Sequence, residues 1–139
     1  PMADVQDASP DRVPAEVVAA RLDKNVRLAA AALSDGKARL HVFLQPAIFT
    51  TAKSLSRREA KLPPTPLGIH RAEPEYYKEC SRRIGERLGA GAVAANAAFT
   101  DLKTVFDRMP ATEEVFLDNF HFGDRGNLAI AEAMVNAIL

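Results

Sequence analysis

Apolar residues recur with helical spacing in three stretches of the chain, which predicts helices over 14–33, 75–88 and 124–138. Pro14 suits the first turn of the first helix. The tripeptide Ser34-Asp35-Gly36 is typical of its end, with the glycine free to adopt the left-handed conformation. The three predicted apolar stripes consist of Val17, Val18, Leu22, Val26, Leu28, Ala29, Ala32 and Leu33; of Tyr76, Tyr77, Cys80, Ile84 and Leu88; and of Leu128, Ala131, Met134, Val135 and Ile138.

Two short apolar runs, 39–45 and 114–117, predict β-strands. Each is apolar on both faces, which is the pattern of a strand inside a parallel sheet with helices on both sides. The predicted fold class is therefore α/β. Two short strands do not make a stable sheet by themselves, so further strands are needed. Either a weaker strand lies within 90–99, around 92–94, or the remaining strands come from a segment outside these 139 residues, which we favour.

A long connection, 47–74, follows the first predicted strand and is typical of a functional loop or lid, here inserted in a single domain spanning 1–139. Within it, Ser56 and Glu59 match a capping box that would begin a short helix. Its basic cluster forms either a solvated surface or a lid that contacts substrate, and consists of Lys53, Arg57, Arg58 and Lys61. The candidate substrate-binding residues are Arg57, Arg58 and His70, although a solvated loop position is the ordinary alternative for His70.

Composition narrows the class of partner. Eighteen basic residues balance eighteen acidic ones, so the formal net charge is zero and there is no electrostatic reason to expect nucleic acid or an anionic membrane. No apolar stretch is long enough to span a bilayer. The single cysteine, Cys80, excludes an internal disulfide, and with the three histidines it shows no metal-ligand spacing. We therefore predict neither metal nor cofactor, and the sequence gives no indication of compartment.

Asp118 and His121 lie three residues apart, between the second predicted strand and the third predicted helix. Active sites of parallel α/β folds gather at the carboxyl ends of strands. A turn can hold the carboxylate against one ring nitrogen of the histidine, which fixes the tautomer and leaves the other nitrogen to act as a general base. The spacing by itself arises often by chance, and on that ground alone Asp118 would be a loop cap and His121 a solvated turn residue.

Residues 115–131 (VFLDNFHFGDRGNLAIA) resemble the final block of the SGNH (GDSL-like) hydrolase superfamily, in which a strand, Asp-x-x-His, a glycine and an Ile-Ala-bearing helix follow in this order. Residues 44–49 (LQPAIF) are similar to the penultimate central strand of that family and its proline exit. The resemblance implies a three-layer α/β/α, flavodoxin-like fold and ester hydrolysis through an acyl-serine intermediate. By the same resemblance, His121 is the base and Asp118 its orienting acid.

The nucleophile of that family has no counterpart in this chain. Its Gly-Asp-Ser block and the Gly-x-Asn-Asp segment of its oxyanion hole both precede the region seen here. None of the serines lies in such a setting: Ser9, Ser34, Ser54, Ser56 and Ser81. We therefore predict the C-terminal portion of an SGNH hydrolase that acts on a small-molecule, glycan or lipid ester. Its N-terminal half, upstream in the same protein or on a companion chain, would supply the serine. The alternative is a non-catalytic SGNH-like binding or interaction module.

Overall fold

The computed structural model describes residues 13–36, 38–62, 73–90 and 93–139. They form a mixed α/β structure with three α-helices and one two-stranded sheet. The helices are α1 (Ala15–Ala32), α2 (Glu73–Gly89) and α3 (Asp124–Ile138), and the strands are β1 (Leu40–Leu44) and β2 (Ala97–Asp101). Short 3-10 turns at Ser34–Gly36 and Glu59–Lys61 complete the regular structure. The three predicted helices and the first predicted strand are thus confirmed.

The sheet is parallel, as predicted, but its second strand is not the predicted one. β1 pairs with β2 in a register that runs from Leu40 beside Ala97 to Leu44 beside Asp101. The second strand therefore overlaps 90–99, the region of the alternative that we did not favour. Its residues are mostly small or polar, so their strand character comes from pairing with β1 and from packing against α1 and α2.

Residues 115–117 are not a strand of this sheet, and that prediction is wrong. Phe116 makes only an isolated antiparallel bridge with Phe122. The amides of Val115 and Phe116 donate to the carboxylate of Glu59 instead of to a neighbouring strand. The apolar side chains of Val115 and Phe116 reflect burial in a core, which a short apolar run cannot distinguish from strand pairing.

One core lies between the sheet and the pair α1 and α2. Ala19 and Ala30 are fully buried, and their small side chains allow α1 to approach α2 closely. Leu40 and Val42 of β1 pack against this core. Its buried members are Val26, Ala30, Leu88, Val93 and Ala97.

A second core lies beneath α3. Phe106, Val115 and Phe116 are its buried members, and Ala129 and Ile130 of α3 pack against them. The rings of Phe106, Phe116 and Phe122 stand with centroids 5.4–5.7 Å apart in tilted or edge-to-face arrangements. This core carries the segment that leads into Asp118 and His121.

The apolar stripe predicted for α3 is mostly on the wrong side. Leu128, Val135 and Ile138 are each at least half exposed, whereas Ala129 and Ile130 face inward. On α1, Leu28 is likewise exposed. Helical spacing marks several apolar faces on helices this rich in alanine, and tertiary packing selects among them.

The end of α1 also differs from expectation. The helix ends at Ala32 with Leu33 in a right-handed cap conformation, and Gly36 belongs to the 3-10 turn without a positive φ.

Candidate active site

A tight loop holds Asp118 and His121. Leu117 donates its amide to the carbonyl of His121 at 2.9 Å, and Gly123 donates to the carbonyl of Val115 at 2.9 Å. These two bonds turn the chain back on itself between the second core and the start of α3. The loop geometry is therefore fixed by backbone bonds at both of its ends.

Asp118 uses its two carboxylate oxygens for different tasks. Oδ1 accepts the amides of Phe120 at 2.8 Å and of His121 at 2.9 Å, which closes the turn. Oδ2 lies 2.7 Å from Nδ1 of His121, the contact that the three-residue spacing predicts. An ionised carboxylate can only accept, so Nδ1 carries the proton in this contact, and in the neutral imidazole the lone pair is then on Nε2.

The surroundings keep Asp118 ionised. The backbone N–H of Phe120 lowers the pKa of this carboxyl below its usual range, and the side chain and amide of His121 add to the effect, against an opposing contribution from burial. The Asp118 side chain is 36% exposed and that of His121 is 77% exposed. The imidazole is thus held on its Nδ1 side and open to a reacting group on its Nε2 side.

The segment that follows β1 supports this loop. Gln45 donates from Nε2 to the carbonyl of Phe120 at 2.7 Å, and Ile48 donates its amide to the carbonyl of Asn119 at 3.1 Å. Gln45 is the first residue after β1. The pair is therefore tied to the carboxyl end of a parallel strand, although no strand leads directly into it.

An aromatic cluster fills the space beside the loop. Phe120 packs against Phe49 and Tyr77 with ring centroids 5.8 and 5.1 Å away. Burial, assisted by Cys80, raises the pKa of Tyr77. Asn119, 1% exposed, has an Nδ2 without a hydrogen-bond partner in the described part of the chain. The sequence signalled Asp118 and His121 by their spacing, but nothing in it marked Asn119 or Gln45.

Of the predicted substrate-binding residues, Arg57 and Arg58 are described, and neither is hydrogen-bonded to Asp118 or His121. Arg57 and Arg58 line an open cleft of about 490 Å³ beside Glu114, to which Arg58 donates at 3.1 Å. Lys53 does not belong to this surface, because its ammonium group is fully buried against Glu59 at 2.8 Å. His70 lies outside the described residues.

No serine hydroxyl among the described residues is hydrogen-bonded to His121. Ser34 donates to the carbonyl of Ala31, and Ser56 donates to Glu114. Ser81 is buried within α2, and Ser54 is exposed in the loop before the second 3-10 turn. Ser9 lies outside the described residues.

An apolar cleft of about 290 Å³ opens between β1 and α3. It begins at Phe122, the neighbour of His121 in the chain. Its walls are formed by Phe43, Gln45, Leu102, Phe122, Asn127, Ile130 and Met134. On the same face of β1, His41 stacks on Phe43, and its Nδ1 is buried without a hydrogen-bond partner among the described residues. This side of the sheet is therefore less completely packed than the side that carries α1 and α2.

The described residues include neither a metal-binding cluster nor a membrane-spanning helix. They contain no group of three or more histidine, cysteine, aspartate or glutamate side chains arranged to hold a metal ion. Among them, no helix combines the length and apolar character needed to cross a bilayer.

Comparison with known proteins gave no match to a protein-family model, to a curated protein or to a solved structure. The likeness of 44–49 and 115–131 to SGNH hydrolases therefore stays a hypothesis that rests on those residues.

Proposed function

We propose that this chain is the C-terminal part of an SGNH-type ester hydrolase with a three-layer, flavodoxin-like α/β/α fold. Its serine nucleophile and oxyanion hole would lie on a segment outside these residues, upstream in the same protein or on a companion chain. The observation that carries the proposal is the 2.7 Å contact between Asp118 Oδ2 and His121 Nδ1, made by an imidazole that is otherwise open to solvent.

The proposed reaction assigns each step to this geometry. Nε2 of His121 accepts the proton of the incoming serine hydroxyl as the serine oxygen attacks the ester carbonyl. The imidazolium, stabilised by Asp118, returns that proton to the leaving alcohol, and an acyl-serine remains. Water then repeats the cycle: His121 takes a proton from it, the oxygen attacks the acyl carbon, and the serine regains its proton as the carboxylic acid departs.

Uncovered apolar surface supports a missing segment. In the described residues β1 has a strand neighbour on one edge only. All five residues of β1 remain partly exposed, although four of the five are apolar. Leu128, Val135 and Ile138 of α3 are also exposed. A segment that adds strands beside β1 and covers its face toward α3 would bury these groups and satisfy the open edge.

The substrate assignment is broad. We propose a small-molecule, glycan or lipid ester, with Arg57, Arg58 and His70 as contacts from the lid 47–74. Arg58 is partly neutralised by Glu114, which leaves Arg57 as the freer cation of the two.

A non-catalytic SGNH-like module is the second candidate. It is favoured by the absence, among the described residues, of a serine hydroxyl bonded to His121. The two candidates separate on whether a Gly-Asp-Ser segment precedes this region in the encoded protein. If neither the encoded protein nor a companion chain supplies such a segment, the pair has no nucleophile to activate.

The experiment compares hydrolysis of p-nitrophenyl esters by the chain alone, by the protein completed with its upstream segment, and by the completed His121→Ala variant. We expect only the background rate from the chain alone, turnover from the completed protein, and a loss of about 10⁴-fold or more in kcat for the variant. Lys24→Ala, an exposed change on α1, is the matched control and keeps full turnover. Full turnover by the chain alone would exclude an external nucleophile, and full turnover by His121→Ala would exclude the base.

A further inference from the structure

Glu59 is a buried carboxylate with four hydrogen-bond donors. Oε2 accepts the ammonium group of Lys53 and the amide of Ser56, both at 2.8 Å. Oε1 accepts the amides of Val115 at 2.8 Å and of Phe116 at 3.1 Å. Its side chain and that of Lys53 are both completely shielded from solvent. The Glu59 carboxylate thus joins the segment 53–59 to residues 115 and 116, which lead into the candidate site.

The two sets of contacts have different origins. Those to Ser56 lie within one turn and fulfil the capping box, in which Ser56 Oγ also accepts the amide of Glu59 at 3.0 Å. Those to Val115 and Phe116 cross 56 and 57 residues of sequence. A capping residue needs only the first set, so the second set calls for a separate explanation.

Val115 and Phe116 stand directly before the loop that holds the pair. Their amides have no strand neighbour, and the carboxylate of Glu59 takes the place of one. The next amide, that of Leu117, bonds the carbonyl of His121. A displacement of 115–116 would therefore pass both to Asp118 along the chain and to His121 through this bond.

We infer that Glu59 is a positioning residue for the Asp118–His121 pair, acting through the backbone of Val115 and Phe116. The inference rests on the proposed function, because it names a role in that same site. By this inference, Glu59 helps to set the position of the His121 imidazole, which is the proposed base.

The decisive variant is Glu59→Asp in the completed protein. Aspartate keeps the charge beside Lys53 and Ser56, but its carboxylate is withdrawn by one carbon–carbon bond, about 1.5 Å, from the amides of Val115 and Phe116. Contacts of 2.8 and 3.1 Å do not survive that withdrawal as hydrogen bonds.

We expect kcat to fall about 10- to 100-fold with KM within about twofold, because a small misplacement of a reacting group affects the transition state more than substrate binding. The ¹⁵N spectrum of the His121 ring should show loss of the single Nδ1–H tautomer. Amide exchange should accelerate at Val115 and Phe116. Ser56→Ala is the matched control, since it removes the Ser56 hydroxyl from the Glu59 amide and from Glu114 but leaves the Glu59 carboxylate on both amides, and the His121 tautomer should stay that of the wild type.

A second variant tests the inference if the Glu59→Asp protein does not fold. Glu59→Gln keeps the length, and its oxygen turns to the charged Lys53 because that bond is the stronger one. The NH₂ group then faces the amides of Val115 and Phe116, so the same contacts are lost by another route. The same readouts apply to it.

A failure of the inference about Glu59 can be distinguished from a failure of the proposed function. If the completed wild-type protein hydrolyses no ester, the proposed function fails, while the tautomer and exchange comparison still tests Glu59. An unchanged His121 tautomer in a folded Glu59 variant overturns the inference whatever the activity, and so does the same tautomer loss in Ser56→Ala.

Discussion

At the scale of single residues, the candidate site depends on how Asp118 divides its two oxygens. One closes the turn by accepting two backbone amides, and the other holds the imidazole at 2.7 Å. The first task needs only an acceptor, but the second needs a group that cannot donate. A substitution that preserves acceptance and adds donation therefore separates the structural role of Asp118 from its chemical role.

Asp118→Asn makes that separation in the completed protein. The amide oxygen of asparagine can still accept from Phe120 and His121, so the loop should keep its shape. Its NH₂ group would donate to Nδ1, which moves the ring proton to Nε2 and removes the lone pair that the serine requires. We expect kcat to fall about 10³- to 10⁴-fold, as for the equivalent change in serine proteases, with the melting temperature nearly unchanged.

Asp35→Asn, an exposed carboxylate-to-amide change beyond α1, serves as its control and retains wild-type kcat. Steady-state kinetics together with a thermal melt make the comparison. A variant at Asp118 that loses stability instead of turnover would contradict the assigned role.

At the scale of elements, the position of α3 is set by one close approach. Gly126 is buried in the first turn of α3, against the segment that carries the pair. A Cβ placed there would lie 2.8 Å from Cβ of Phe122 and 3.0 Å from the carbonyl oxygen of Val115. Neither neighbour is the flexible end of a long side chain, so the backbone itself would have to move.

Gly126→Ala should therefore destabilise the protein, although alanine is the better helix former by about 1 kcal/mol. Steric overlap in a packed site costs typically 1–3 kcal/mol, so after the gain in helix propensity we expect a net loss of up to about 2 kcal/mol in the free energy of unfolding. Urea denaturation monitored by circular dichroism measures it. Gly36→Ala is the matched control, because no atom lies within 4 Å of the added methyl group, and it should be neutral or slightly stabilising. A stabilised Gly126→Ala would show that α3 is less closely packed than the structure indicates.

At the scale of the whole molecule, the segment 53–62 belongs to the folded core of the described chain. Its buried ion pair, Lys53 with Glu59, lies beside the core of Phe106, Val115 and Phe116. Burial raises the pKa of Glu59, but the bonds from Lys53 and from the amides of Ser56, Val115 and Phe116 outweigh it and lower the pKa from 4.5 to about 2. Protonation of Glu59 therefore weakens the attachment of the segment 53–62 to Val115 and Phe116.

The folded state should lose stability as the pH falls. Because the pKa is lower in the folded state, the contribution of Glu59 is fully present above pH 4.5 and is lost as the pH falls toward 2. The shift corresponds to roughly 3 kcal/mol of unfolding free energy. We expect the free energy of unfolding to fall by this amount between neutral pH and about pH 2. The free energy of unfolding of Glu59→Gln should depend less on pH over the same range.

Exposed ion pairs would also lose their contribution to stability at acid pH, so that contribution must be reduced. The pKa of Glu79 is also lowered to about 2, chiefly by Arg82 and Arg83, but this cluster is exposed and is screened by salt. Urea titrations in about 0.5 M salt reduce this contribution, and the difference between the wild type and Glu59→Gln isolates the buried group. Glu132→Gln, an exposed change on α3, should keep the wild-type profile. Parallel profiles for the wild type and Glu59→Gln would contradict the prediction.

Short-range patterns were enough to predict much of this molecule. Helical spacing located α1, α2 and α3, and a β-rich apolar run located β1, because these elements depend on neighbours within a few residues. The contact between Asp118 and His121 was predictable for the same reason, since a three-residue turn brings the two side chains together wherever it lies. The capping box of Ser56 and Glu59 is equally local.

What only the tertiary structure decided depends on contacts distant in sequence. The segment 97–101 is a strand because β1 pairs with it, whereas 115–117 is not, because the amides of Val115 and Phe116 donate to Glu59 and that of Leu117 donates to His121. The burial of Lys53 and the inward face of α3 were likewise selected by packing. Local patterns specify which surfaces are apolar and which groups can bond. The choice among competing partners is made only when distant segments meet, since each buried amide and apolar face then takes the partner that the whole fold brings closest.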